Sequence, residues 1–419
     1  MTDDARDTVL SRLDTVLSRL DARMADLESL YEDLHRHPEI GFQETRTAAE
    51  AARRLTSYGY EVHTGLGTTG VVGVLRNGDG PVVLLRADMD ALPVEERTGL
   101  PYASTVPGTM HACGHDVHVT CLAGAADLLA AGRDHWSGTV IALFQPAEEV
   151  SGGARSMVGD GLFSKGLVPT PDVVLGQHVA PLAAGMIAYC SGACMASADG
   201  RRITFHGVGG HGSRPESVID PIVMAAAFVQ RVQGVVAREV APKDQVVITI
   251  GALHAGNAAN VVPDHATVDL TVRSFDDDVR ARVLAAIDRI AKAEAAASNA
   301  PRAPETEVLN AFPVTRNDPK TLHKVNDAFA ALFGARNLLA YEPVSGSEDV
   351  GDLATAADAP LYYWWLGGWD PDAFHAALRA GRVDQDIPTN HSPHFAPVKQ
   401  PTLTMGVQAL VTAALSHLG

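Results

Sequence analysis

The sequence predicts an α/β protein: a mixed, mostly parallel sheet flanked by helices, interrupted by an inserted α+β module. Continuously apolar runs at 82–85, 139–144 and 172–176 have the composition of strands covered by helices on both faces. From about residue 195 the texture changes to strand patterns set between two long helical ones. A length of 419 residues also exceeds a usual single core, which makes two domains the natural organisation.

Taken in order, residues 7–20 carry Asp-Thr-Val-Leu-Ser-Arg-Leu twice. Val9, Leu10, Leu13, Val16, Leu17 and Leu20 form an apolar stripe at helical spacing, read as an amphipathic helix that runs on toward His35. Pro38 ends it, because proline disfavours helix in the residue before it. His35 and His37 beside that break read as surface residues. A helix is expected over 46–58, strands over 71–75 and 82–85, and a helix over 117–131. The strand at 82–85 hands over Arg86, Asp88 and Asp90, the strand at 139–144 leads into Gln145-Pro146-Ala147-Glu148-Glu149, and the strand at 172–176 leads into Gln177-His178.

In the module, strands are expected at 202–206, 246–253 and 266–272 and helices at 219–239 and 277–297, the latter opened by acidic residues that suit a helix N-terminus. Two glycine-rich stretches hold Gly209-Gly210-His211-Gly212-Ser213 and Gly256-Asn257-Ala258-Ala259-Asn260. Residues 301–319, rich in proline, read as the return linker. Gly346-Ser347-Glu348-Asp349 reads as a loop, and Asn390-His391-Ser392-Pro393-His394-Phe395 precedes a C-terminal helix over about 402–418.

Composition excludes several classes of function. A formal charge of −17 argues against nucleic acid or an anionic membrane as partner. No apolar run approaches a membrane span, and the N-terminus has no basic region followed by an apolar one. Four cysteines in so long a chain make no disulfide framework, so a cytoplasmic, reducing location is expected.

The chemistry concentrates at Met110-His111-Ala112-Cys113-Gly114-His115-Asp116-Val117-His118. Cys113 and His115 are two apart, so in a tight turn both can converge on one ion, and thiolate, imidazole and carboxylate are donors that borderline divalent ions accept. Open α/β sheets place sites at the carboxyl ends of their strands. Asp88, Glu148, Glu149 and His178 are therefore expected to face the crevice that holds the Cys113 loop.

The stretches 85–93, 110–118, 145–153, 209–213, 257–263, 346–349 and 391–395, in this order, resemble the dinuclear metallopeptidase family that includes hippurate hydrolase, aminoacylases and plant indole-3-acetyl-amino-acid hydrolases. The resemblance implies Cys113, His115, Glu149, His178 and His391 as ligands of two divalent ions per subunit (zinc, manganese, cobalt or nickel), with Glu148 as catalytic base. Distant relatives take a ligand from the position of Arg86, which cannot bind a cation; His115 compensates, with Cys113 bridging. Asp88 is then expected to orient a ligand imidazole. His394 offers a second imidazole near His391, which holds the motif position and is preferred. The resemblance further implies His211 as a lid histidine reaching the neighbouring subunit's oxyanion, Asn260 and Arg273 as holders of a substrate carboxylate, and a homodimer through the lid domain. Residues 1–194 and 309–419 would form the catalytic domain and 195–308 the lid and dimerisation domain. The implied activity is hydrolysis of the amide of N-acyl-amino acids. A dipeptidase or carboxypeptidase is the rival within enzymes, and a catalytically silent metal-binding scaffold the rival from another class.

Overall fold

The computed structural model describes residues 12–419, so Val9 and Leu10 of the N-terminal stripe lie outside the described residues. Leu13, Val16 and Leu20 of that stripe are buried. The described residues divide into two compact units, one of residues 12–192, 316–342 and 349–419, the other of 193–315 and 343–348.

The first unit is built on an eight-stranded sheet. Its strands are β1 (Glu61–Leu66), β2 (Gly70–Asn77), β3 (Val82–Asp88), β4 (Gly138–Gln145), β5 (Val173–Ala183), β6 (Ile187–Tyr189), and, after the second unit, β11 (Leu338–Ala340) and β12 (Leu361–Trp369), in the order β1-β2-β4-β3-β5-β12-β6-β11. The central pairs β4/β3, β3/β5 and β5/β12 are parallel, whereas β1/β2 and β2/β4 are antiparallel. β4 is buried along its whole length, as its unbroken apolar run requires. Helices α1 (Leu20–Arg36), α2 (Thr45–Ser57), α3 (His115–Ala131), α7 (Pro319–Phe333) and α10 (Thr402–His417) share the core of this unit, to which α4 (Gly153–Gly159), α8 (Val350–Ala357) and α9 (Pro371–Ala380) also belong. α3 is buried almost all round. A Cβ on Gly124 would lie 2.8 Å from Val407 and 2.9 Å from Leu27, so this glycine is what lets α1 and α10 close on α3.

The second unit is a four-stranded antiparallel sheet of β7 (Ser197–His206), β8 (Val246–Ala255), β9 (His265–Ser274) and β10 (Glu305–Phe312), ordered β8-β9-β7-β10. Helices α5 (Pro221–Glu239) and α6 (Asp277–Ala297) pack on it around Phe205, Phe228, Val268, Val283 and Ile287. Asp220 caps α5 by accepting from the Ile222 amide at 2.8 Å, and Asp276 caps α6 through the Val279 amide at 2.9 Å.

Four sequence readings need correction. The segment 301–319 is not only a linker, because β10 forms within it and completes the second sheet beside β7. β10 is an edge strand in which Val308 and Leu309 are exposed beside polar residues, so no clean alternation marks it. β1 was missed for the same reason: it is a polar edge strand broken by Gly65. β5 runs on to Ala183, so Gln177 and His178 stand inside a strand rather than beyond its end. His35 is buried, not a surface residue.

Candidate metal centre

The Cys113 loop ends at Gly114, whose φ of +81° is a left-handed conformation suited to glycine, and a Cβ there would meet Val179 at 2.3 Å. Helix α3 therefore starts at His115, with Cys113 just outside it and His118 one turn along. His178 projects from β5 toward the same place, its ring 5.7 Å from His115 and 4.6 Å from His118, centroid to centroid. Glu148 and Glu149 follow Ala147, a non-glycine residue at φ +51°, and His391 itself has φ +70°. Such backbone costs about 1–3 kcal/mol per residue and persists only where the surroundings hold it.

The predicted ligand set comes together in the first unit. Cys113 Sγ lies 3.4 Å from His178 Nε2, and Glu149 Oε1 lies 3.2 Å from His391 Nε2 and 3.8 Å from His115 Nε2. Donor atoms of Cys113, His115 and His178, of Cys113, Glu149 and His391, and of His115, Glu148 and Glu149 all fall within 4.8 Å of one another inside each triad. His391 rather than His394 joins them; His394 donates from Nδ1 to the Arg97 carbonyl at 2.9 Å and is exposed.

Hydrogen bonds orient the lone pairs inward. His178 Nδ1 donates to the Val179 carbonyl at 2.8 Å, which leaves Nε2 as a lone pair facing Cys113. His115 Nδ1 donates to Asp90 Oδ1 at 3.2 Å and leaves Nε2 facing Glu149. Both His115 Nε2 and Glu149 Oε1 are sealed from solvent; His115 Nε2 has no hydrogen-bond partner, and Glu149 Oε1 has His391 Nε2 beside it at 3.2 Å. Two buried electron-pair donors aimed at each other are costly unless something positive lies between them, so these residues fit a bound cation.

The electrostatics agree. Burial pushes the Cys113 thiol well above its usual range, and Glu149 and Glu148 add to this, so a thiolate there needs a cation beside it. Burial pulls His115 down, yet Asp88 and Asp90 lift it to about 10, so its Nε2 holds a proton whose place a bound cation would take. Burial would also raise the Glu149 carboxyl, but His391 and His115 beside it hold it below its ordinary value. His178, largely withdrawn from water and next to His118, is pushed down to about 3 and stays neutral, the form that ligates.

Around this set lies a ring of partners only partly visible in the sequence. Asp88 was expected to orient a ligand imidazole; it bonds instead to His118 and to Arg86, and stands 3.7 Å from His115 Nε2. The carboxylate that holds His115 is Asp90, whose second oxygen accepts from the Glu149 amide at 2.9 Å. The signal was the alternation in Asp88-Met89-Asp90, which puts both carboxylates on one side of an extended segment. His118, also overlooked, accepts from the Val179 amide at 2.8 Å through Nε2. Asn390 donates to the carbonyls of Cys113 and Val179 and ties the His391 loop to both. Arg86 is fully buried between Asp88, Gln145 and Asp349.

The other predicted residues belong to the second unit. His211 is exposed on a short strand pair with Val261–Val262, and the Gly212 amide bonds the Asn260 carbonyl at 2.9 Å, so His211 and Asn260 are neighbours. The Ser213 amide donates to His211 Nδ1 at 3.1 Å, which leaves the ring proton on Nε2. Arg273 donates to the Ser345 carbonyl and to Ser347 Oγ.

Comparison with known proteins follows the same lines. Hippurate hydrolase of Campylobacter jejuni is 41% identical over 321 residues, which cover 76% of this chain and 82% of that protein. N-acetylcysteine deacetylase of Bacillus subtilis is 35% identical over 370 residues, 87% of this chain and 93% of its own. The crystal structure of Bacillus subtilis YXEP protein, a dinuclear metal binding peptidase from the M20 family, superimposes with a TM-score of 0.76 at 31% identity, covering 94% of this chain and 98% of that one. The model of peptidase family M20/M25/M40 matches residues 84–386, which run from β3 through the whole second unit to the approach of the His391 loop, and the chain belongs to that family.

Proposed function

We propose that this chain is a metal-dependent amidohydrolase that cleaves the amide of N-acyl-amino acids, releasing a carboxylic acid and an amino acid. The observation that carries the reading is the convergence of Cys113, His115, His178, Glu149 and His391, with inward lone pairs, beside a second buried glutamate. Relatives named for hippurate and N-acetylcysteine supply the substrate class.

In this reading Cys113, which belongs to two of the three donor triads, would help to hold both divalent ions. Zinc, manganese, cobalt and nickel all accept such a mixed N, O and S set. When bound, the ions acidify water and polarise the scissile carbonyl. Glu148 would take a proton from the attacking water and pass it to the leaving nitrogen, a role worth about 10²- to 10⁴-fold. Glu149, held ionised, stays a ligand while Glu148 exchanges the proton. His211, with its proton on Nε2, donates to the oxyanion of the neighbouring subunit's site, which makes a homodimer part of the machinery. Asn260 and Arg273 hold the amino acid's carboxylate, Arg273 with its planar fork. A cytoplasmic location suits four cysteines of which none is in a disulfide. Among the described residues no helix is long and apolar enough to cross a membrane.

The test is a screen of N-benzoyl, N-acetyl and indole-3-acetyl amino acids against dipeptides, after reconstitution with each of the four metals. Preference for the N-acyl compounds is expected. Hydrolysis of dipeptides alone would replace the assignment with a peptidase, and no turnover with any metal would leave a scaffold.

A further inference from the structure

We infer that Glu44 is a positioning residue for Glu148: with Asp90 it grips the backbone on both sides of the general base and holds the strained turn that aims it. Glu44 stands just before α2, in a segment the ligand motifs do not include, and is fully buried. Its Oε1 accepts from the Ala147 amide at 2.8 Å and from the Phe42 amide at 3.0 Å, while Oε2 accepts from Thr69 Oγ1 at 2.6 Å. Ala147 is the residue at φ +51° immediately before Glu148. On the other side, Asp90 accepts from the Glu149 amide at 2.9 Å. The amides of 147 and 149 therefore each end on a buried carboxylate, and Glu148 lies between them.

The packing supports the same role. A Cβ on Gly41 would come within 3.3 Å of the Ala147 Cα, so the 41–44 segment lies directly against the turn. The turn also closes on itself through Gly153, where a Cβ would meet the Pro146 carbonyl at 1.6 Å, and through the Ser151 amide, which donates to the Glu148 carbonyl at 2.9 Å. A left-handed alanine is unfavourable by itself. A charge-assisted bond from its amide to a carboxylate is the strong kind of hydrogen bond that can hold it. Without that bond the turn relaxes toward ordinary backbone and carries the Glu148 carboxylate with it. A misplacement of about 1 Å at a reacting group can cost about 10²-fold in rate.

The inference rests on the reading of Glu148 as base, and its test separates the two. Glu44→Ala, Glu44→Asp and Glu44→Gln are compared in the full chain, with N-benzoylglycine hydrolysis measured after metal reconstitution and amide hydrogen exchange of peptides spanning 145–153 measured without metal. Glu44→Ala and Glu44→Asp should lower kcat by about 10²-fold with KM changed less than about three-fold and bound metal unchanged. Both should speed exchange in 145–153 more than elsewhere. Glu44→Gln keeps an acceptor for the two amides and should recover most of kcat and of the protection. Should Glu44→Ala not fold, Glu44→Asp and Glu44→Gln carry the test. Wild-type kcat in Glu44→Asp, or faster exchange spread evenly over the first unit, would overturn the positioning role. Full turnover by Glu148→Gln would instead overturn the base assignment, whatever the exchange shows.

Discussion

His115, His118 and His178 of the first unit and His211 of the second are held in opposite ways. The three in the first unit are packed ring against ring, and each has at least one nitrogen bound to a carboxylate or a peptide group. In the second unit His211 is exposed, and its Nδ1 is met only by the amide and hydroxyl of Ser213, two residues away. The first arrangement has its tautomers and directions set before any ligand arrives, which is how a metal centre avoids reorganisation. The second fixes a tautomer but not a place, as the donation to a neighbouring subunit's substrate proposed above would require.

That contrast can be broken at several points. The largest effect is expected at the preorganised side: Glu148→Gln should cut hydrolysis by about 10²- to 10⁴-fold while elemental analysis finds the metal content intact. Substantial residual turnover would take the proton-transfer role away from Glu148. Next, His211→Ala should reduce kcat by about 10²- to 10³-fold without loss of metal, the usual effect of removing an oxyanion donor. Mixed with Glu148→Gln chains, it should regain activity; failure to do so in dimers shown to exchange subunits would argue that each chain works alone.

A smaller effect is expected at Asp90, where Asp90→Asn offers an amide to His115 and favours the wrong tautomer. Metal affinity, read by competition with a chelator, should weaken by about 10- to 100-fold. An unchanged affinity would show that Asp88 or packing is enough to orient His115. The smallest concerns stability alone. Burial opposes a charge on His35, yet its bonds to Asp116 at 2.6 Å and to Glu96 at 3.3 Å lift it from 6.5 to about 9. A raised pKa means stability present in full below pH 6.5 and lost as pH rises through about 9. The gap in Tm between wild type and His35→Gln should therefore be widest at pH 6 and shrink by pH 9.5. A gap independent of pH would mean that His35 contributes packing and not charge.

How much of this was legible depends on chain distance. β4 and α3 were readable because a short unbroken apolar run and a longer, largely apolar helical segment are local patterns. Cys113 and His115 were readable because their spacing and donor chemistry are local too. Asp90 sat in view beside Asp88, but alternation only places both on one side of the strand and does not choose between them. Glu44 contacts a peptide group 103 residues away, and His35 a carboxylate 81 residues away; neither leaves a mark in its own neighbourhood. β10 was overlooked because an edge strand with exposed Val308 and Leu309 beside polar residues lacks a clean alternation.

By itself, then, the order of residues along this chain determined the donor types and the strand ends that present them, since both follow from spacing over a few residues. Only the tertiary structure decided which carboxylate turns each imidazole, which histidine of the His391 loop faces the cluster, and what holds the turn under Glu148. Those choices depend on which buried hydrogen-bonding groups meet across the core, and a buried polar group takes whichever partner packing brings within about 3 Å.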